Sequence, residues 1–242
     1  MWPTESETTY FLKDRTTFIR YYFDEAAKPF VDIHERINAG TSPFELYGDP
    51  EDGEPLYQAE WEGAEIAIAL IGQTCVSLLA DSLKLYLNTW RQREFRFAFD
   101  KHEDKLAARE GFVAAYRAAF SEIFGPRWSQ CAARFDIIDQ VVLARNRSQH
   151  GDSLLSMRAR HDRKTLDKHP LPFFARPAEI QAWVPRDDLF GSYLAPPLRI
   201  SRETLWAAIG EIEAWAEWLD ANFEHAWSWP TLSVEDDPKP TA

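Results

Sequence analysis

Residues 58–93 read QAEWEGAEIAIALIGQTCVSLLADSLKLYLNTWRQR. Ile66, Ala69, Gln73, Val76, Ala80, Leu83, Leu87 and Trp90 follow one another at steps of three and four, the rhythm of one face of an α-helix. Leu70, Ile71, Leu78, Leu79 and Tyr86 widen that face, so the spacing predicts a long central helix with neighbours on more than one side. A second strong pattern lies near the C-terminus. Leu205, Ile209, Ile212, Ala216, Leu219 and Phe223 form a four-three seam over 202–223, with Ser201 placed as N-cap and Glu203 at the positive end of the helix dipole. Trp206, Trp215 and Trp218 lie off the seam, where packing against a second neighbour is expected.

The remaining elements fill in around these two. Residues 8–24 and 28–38 read as helical, with Phe11, Phe18, Ile19 and Tyr22 on one face and Phe30, Ile33, His34 and Ile37 on the next. Pro29 suits a first turn or a kink between the pieces, and Gly40 suits a stop. Residues 40–57 carry loop composition. A third helix is expected over 103–123, stopped by Phe124-Gly125-Pro126, and another over 128–150 with Gly151 as its left-handed cap. Residues 152–200 hold six prolines and many charges. Within them 180–184 and 198–200 have the look of short strands. The expected fold is all-α: an up-down bundle of four to five helices with an irregular insertion before the last one. Residues 1–57 would pack on a bundle spanning 58–226, the whole forming a single domain, with 235–242 a disordered tail.

Composition narrows the class. In 242 residues, 45% hydrophobic and 14% aromatic content supply a substantial core and exclude general disorder. Cys75 and Cys131 fall inside helical apolar patterns and match no metal-ligand spacing, so they read as buried reduced thiols. The N-terminus lacks the basic-then-apolar order of a secretory signal, and no uninterrupted apolar run reaches about 18–20 residues. A soluble, cytoplasmic protein is expected. The net charge of −12 argues against broad non-specific nucleic-acid binding, but it is unevenly spread. Acid gathers at 48–60 and 235–237, whereas Arg145, Arg147, Arg158, Arg160, Arg163, Lys164 and Lys168 crowd one stretch. A second basic run is Arg91, Arg93, Arg96 and Lys101. There is no Gly-rich phosphate loop, no Gly-x-Ser-x-Gly, no His-Glu-x-x-His and no Cys-x-x-Cys. No cofactor and no metal are therefore expected.

One segment carries chemistry. Cys131, Phe135, Ile138 and Val142 recur at helical spacing, and the same rhythm places Arg145 and then Gln149 next on the stripe. A guanidinium where the pattern asks for an aliphatic residue requires a partner or a task. The full run is Arg145-Asn146-Arg147-Ser148-Gln149-His150-Gly151. Arg-Asn, a short spacer and His on the late part of a helix resembles the R-x4-6-H signature of the HEPN superfamily. That resemblance implies an all-α bundle and, for many members, a metal-independent RNA endonuclease acting as a toxin or in antiviral defence.

In this chain the resemblance makes His150 the general acid or base and Arg145 the group that stabilises the phosphate, with Asn146 orienting either one. RNA supplies its own 2′-hydroxyl nucleophile, and the products would be a 2′,3′-cyclic phosphate or 3′-phosphate and a 5′-hydroxyl. Gln149, Arg147 and Asp81 are candidate supports. Arg147, Arg158, Arg160, Arg163 and Lys164 are candidate RNA contacts, whereas His161 and His169 read as surface residues. One motif supplies one imidazole, so the resemblance also implies a homodimer with a composite site, and a nucleotidyltransferase-like antitoxin as partner. A second reading stays open: a non-catalytic helical interaction module in which Arg145 and His150 are structural.

Overall fold

The computed structural model describes residues 6–45, 56–149, 158–183 and 195–226, and among these the fold is all-α. In chain order the helices are α1 (Glu7–Ala39), α2 (Gln58–Thr89), α3 (Lys101–Glu110), α4 (Phe112–Phe124), α5 (Phe135–Gln149), α6 (Arg163–Lys168), α7 (Pro177–Ala182) and α8 (Arg202–Ala226). A π-helical turn, Trp90–Phe95, continues α2, and a 3-10 turn, Gly125–Gln130, follows α4. His150 and Gly151, residues 48–55 of the acidic loop, Val184 and the expected tail all lie outside the described residues.

The contacts divide the chain into two compact units. The first draws on Met1–Thr16, Asp81–Asp139 and Ile209–Ala242, the second on Thr17–Ala80 and Gln140–Ala208. Within the first unit α1 runs antiparallel to both α2 and α8. Thr9 Oγ1 lies 3.1 Å from Tyr86 Oη, and Lys13 Nζ lies 2.9 Å from Glu217. The Thr16 hydroxyl is shared between the Lys13 carbonyl and the Glu213 carboxylate.

These threonines explain a correction. The face of α1 read from Phe11 and Phe18 is not the core face: both rings are more than half exposed, as are Tyr10 and Tyr21. The buried positions are Thr9, Leu12, Thr16, Ile19, Phe23 and Ala27. Two hydroxyls with hydrogen-bond partners hold places that a hydropathy pattern assigns to aliphatic residues. Pro29 lies inside one continuous helix rather than between two. Its position is exposed, as is Glu25, whose carbonyl loses its helical donor to the proline ring.

α2 keeps its main stripe as the spacing predicts, although Leu78, read as widening that face, is 39% exposed. Gln73, Val76, Ala80, Leu83, Leu87 and Trp90 are buried, and so are Cys75, Leu79, Ser82 and Tyr86 on the adjoining stripe. Burial pushes the Cys75 thiol up to about 12, so it stays protonated and inert; Cys131 is half-buried and also unpaired with another cysteine. By length and composition α2 with its π turn is apolar enough to cross a bilayer, and 44% of its most apolar stretch is buried within the protein. The α8 seam is equally well kept: Leu205, Ile209, Ile212, Ala216 and Leu219 are fully buried.

Three other boundaries differ from the expected ones. The helix over 103–123 is two helices, because Gly111 takes φ 98° and breaks the chain between α3 and α4. Asp100 and Glu103 open α3 with a reciprocal capping box. The helix expected from 128 begins at Phe135, after the 3-10 turn. Residues 180–182, expected in a strand, belong to α7, which starts with Pro177 at its first position and Glu179 Oε2 accepting from Arg176 N at 3.4 Å. Residues 198–200 form no strand either, and the sole bridge among the described residues pairs Arg160 with Pro197.

The core of the first unit is aromatic. Trp215 is fully buried against Phe120, Trp128 and Phe135 at centroid distances of 6.0, 6.4 and 5.1 Å. Trp218 packs on Phe124 at 4.9 Å and on Trp128 at 5.4 Å, as expected of tryptophans off the seam. Arg117 sits over the Phe135 ring at 4.6 Å.

In the second unit Trp206 packs edge-on against Phe23, and Arg202 lies over it while pairing with Asp24. A half-buried Arg199 bridges Glu65 and Glu179. Helix α2 and the segment leading into α8 meet closely at Gly72, where an added Cβ would lie 2.7 Å from the Ile200 carbonyl oxygen. Gly72→Ala is therefore expected to destabilise by about 1–3 kcal/mol, because the opposing atom is backbone and cannot rotate away. Gly63→Ala, in the same helix with open space around it, is expected to stabilise by about 0.5–1 kcal/mol. Denaturant midpoints of the two variants should move in opposite directions.

His161, expected at the surface, is buried at 5% exposure. Its Nε2 lies 3.0 Å from the Phe174 carbonyl oxygen, which can only accept, so the imidazole donates there. Burial holds its pKa below 6.5, outweighing the opposing effect of the hydrogen bond. The unfolded chain takes up this proton near 6.5 and the folded chain resists it. Stability is thus complete above that pH and declines as pH falls below it. Between pH 7.5 and 5.5 the urea midpoint should fall, by no more than the equivalent of about 1.4 kcal/mol, with a flatter profile in His161→Gln. The carboxylates of Asp24 and Asp136, which arginines hold below the usual range, act only at lower pH.

Candidate active site

The segment that carries the motif is the C-terminal half of α5, in the second unit. Its buried face is Ile137, Ile138, Gln140, Val141 and Ala144, a stripe displaced from the expected one, since Phe135 and Val142 are only half-buried. Gln140 is no misfit there, because its Oε1 accepts the Phe173 backbone N–H at 2.7 Å. With the stripe so placed, Ser148 rather than Arg145 lies beyond Ala144 on the inner face, and its hydroxyl bonds back to the Ala144 carbonyl. Arg145 flanks the core instead of pointing into it, and it is half-exposed. The guanidinium needs no burial to be where it is.

From that flank Arg145 Nη1 donates to Asn146 Oδ1 at 3.3 Å, and Asn146 is exposed. The two first residues of the motif thus meet at the surface near the end of the helix. Gln149 is exposed and is the last residue of α5. His150 follows directly and lies outside the described residues.

Arg147 is used differently from the sequence expectation. Its Nε donates to the Arg160 carbonyl at 2.9 Å, tying α5 to the segment before α6. Arg160 in turn donates from Nη1 to the Ala195 carbonyl at 2.6 Å, beside backbone bonds from His161 N to Pro196 O and from Leu198 N to Ala159 O. Both cations are therefore built into the backbone frame of the insertion. Arg163 is exposed and pairs with Asp167 one turn along α6, while Lys164 is exposed and Arg158 half-buried. Asp162 caps α6, accepting the Thr165 N–H at 2.6 Å. His169 is half-buried. Asp81 is half-buried on α2 and belongs to the first unit.

Among the described residues no group of three or more His, Cys, Asp or Glu side chains is arranged to hold a metal ion. The second basic run lies in the first unit. Arg91 covers the Phe99 ring at 4.7 Å, whereas Arg93 and Arg96 line a cavity of about 590 Å³ together with phenylalanines and carboxylates. Sequence reading registered the arginines there and missed the cavity. The available signal was the alternation of Phe95, Phe97 and Phe99 among them. No family model matches this chain, and neither does any curated protein or solved structure.

Proposed function

We propose that the chain is a metal-independent RNA endonuclease of HEPN type, with Arg145 stabilising the phosphate and His150 moving the proton. The observation that supports this reading most directly is the Arg145–Asn146 pair on the half-exposed flank of α5, next to the helix end that leads into His150. A guanidinium presented there can donate two hydrogen bonds to a phosphodiester and offset the charge that grows on its oxygens. An imidazole with an ordinary pKa near 6.5 can exchange a proton at neutral pH. The RNA 2′-oxygen attacks the adjacent phosphorus and the 5′-oxygen leaves with a proton, giving a 2′,3′-cyclic phosphate and a 5′-hydroxyl. Two such motifs in a homodimer would supply the two proton carriers that the reaction requires. Toxin or defence roles, a nucleotidyltransferase-like antitoxin and a cytoplasmic setting belong to the same proposal.

A second reading, a non-catalytic interaction module, is favoured by one observation: Arg147, inside the motif, is spent on the Arg160 carbonyl. An RNA cleavage assay in EDTA separates the two. Cleavage that persists in chelator, leaves cyclic phosphate ends and disappears in Arg145→Ala supports the nuclease. Folded protein that leaves every RNA intact supports the module, and cleavage unchanged in Arg145→Ala would show a different centre at work.

A further inference from the structure

The cavity of the first unit is formed where the π-helical turn leaves α2. That turn ends at Arg96, whose backbone is left-handed at φ 51° and ψ 49°, a conformation non-glycine residues rarely hold. Single π turns recur at functional sites, and held strain is a reason to look for a function. Here the left-handed residue separates Phe95 from Phe97 and lets both rings line the same cavity, joined by Phe223 from α8. Phe95 makes angles of 56° with Phe97 and 59° with Phe223, at centroid distances of 6.4 and 5.7 Å. Rings so inclined make a concave corner. They do not form the parallel slot that clamps a flat base.

The charges in the wall point the same way. Four carboxylates line the cavity, those of Glu94, Asp100, Glu103 and Glu122, against the two guanidiniums of Arg93 and Arg96. Asp100 is committed to the α3 cap, where its Oδ1 accepts two backbone N–H groups. Arg96 folds back, its Nε donating to the Arg93 carbonyl at 3.4 Å. Glu103 is buried at 6% exposure with Oε2 accepting from Asp100 N at 2.7 Å. Burial, and then the charges of Asp100 and Glu122, raise its pKa. A carboxylate under that pressure is relieved by an arriving positive charge.

We propose that this cavity binds an organic ammonium ion with an apolar body, its cationic head held against Phe95, Phe97 and Phe223 and its charge met by Glu103 and Glu122. Aromatic faces attract alkylammonium heads through their quadrupoles, and the effect strengthens when the site is partly dry. The volume matches that of sites for small organic molecules. The excess of carboxylates, inside a molecule of net charge −12, disfavours a polyphosphate ligand and draws cations inward. The site lies in a different unit from Arg145 and stands independently of the nuclease reading.

The test uses the full chain and isothermal titration or protein-observed NMR. Benzyltrimethylammonium should bind saturably with Kd of about 1 mM or tighter, as its size allows. Glu122→Gln, at an exposed position, should weaken it about fivefold. Phe97→Leu, which keeps an apolar wall but removes the ring, should weaken it about three- to thirtyfold. The uncharged 3,3-dimethylbutan-1-ol should bind much more weakly than its isostere choline. Equal binding of that pair, unchanged affinity in both variants, absence of saturation, or preferential binding of adenosine monophosphate would each overturn the proposal.

Discussion

Trp215→Ala should remove about 3–5 kcal/mol of stability, enough to unfold a marginal protein. The indole is fully buried and touches aromatic rings from three directions, Phe120 on α4, Trp128 on the 3-10 turn and Phe135 at the start of α5. Truncation would leave a cavity whose walls are rigid rings borne on separate elements, and such walls close poorly. The same residue offers an internal control. Its Nε1 is buried without a hydrogen-bond partner among the described residues, which is itself unfavourable. Trp215→Phe discards that donor while keeping most of the aromatic contact, so it should cost under about 1.5 kcal/mol. Urea denaturation of the pair gives the comparison. Similar losses in both variants would mean that the surrounding rings do not form a rigid wall.

For the proposed nuclease, His150→Ala should lower the single-turnover cleavage rate in EDTA by about 10²–10⁴-fold, the usual worth of a positioned proton carrier. Arg145→Ala should cost about 10²–10³-fold. Arg145→Lys should recover only part of that, because an ammonium keeps the charge and loses the planar fork. The order of effects matters more than either magnitude. Because Arg145 sits on the flank of α5 and outside the buried stripe, both Arg145 variants should stay folded, with losses of stability far smaller than those of a core truncation. Loss of cleavage together with a large drop in stability would return Arg145 to a structural role.

Sequence reading was most reliable where one physical effect set the pattern alone. In α2 and α8 nearly every inward position is apolar, so a three-four count finds the core faces without help. In α1 the inward stripe passes through Thr9 and Thr16, whose burial depends on partners remote in the chain, Tyr86 and Glu213. A count of apolar residues therefore selects Phe11 and Phe18, which face outward. Gly125 was readable as a stop because Pro126 follows it, whereas Gly111 has no such companion and its positive φ could not be foreseen.

The motif itself was fully legible as a string. Its placement was offset because α5 starts at Phe135 and sets its stripe from Ile137 and Ile138, not from Cys131. The use of Arg147 was hidden for a simpler reason: its partner is a backbone carbonyl, and carbonyls leave no mark in a sequence. The ammonium cavity needed five segments to meet, the π turn, residues 96–100 after it, α3, α4 and α8, and no local pattern announces that.

The indoles of the first unit also make the protein its own optical gauge. Trp128 stands 5.4 Å from Trp218 and 6.4 Å from Trp215, close enough for excitation to hop between them before light is emitted. Fixed, asymmetric neighbours of this kind give strong near-ultraviolet circular dichroism, which vanishes when side-chain packing loosens even if the helices persist. This cluster holds three of the ten tryptophans, so it contributes strongly to emission colour and to that dichroic band, and a partly melted intermediate would betray itself by losing the band while its far-ultraviolet signal stayed intact.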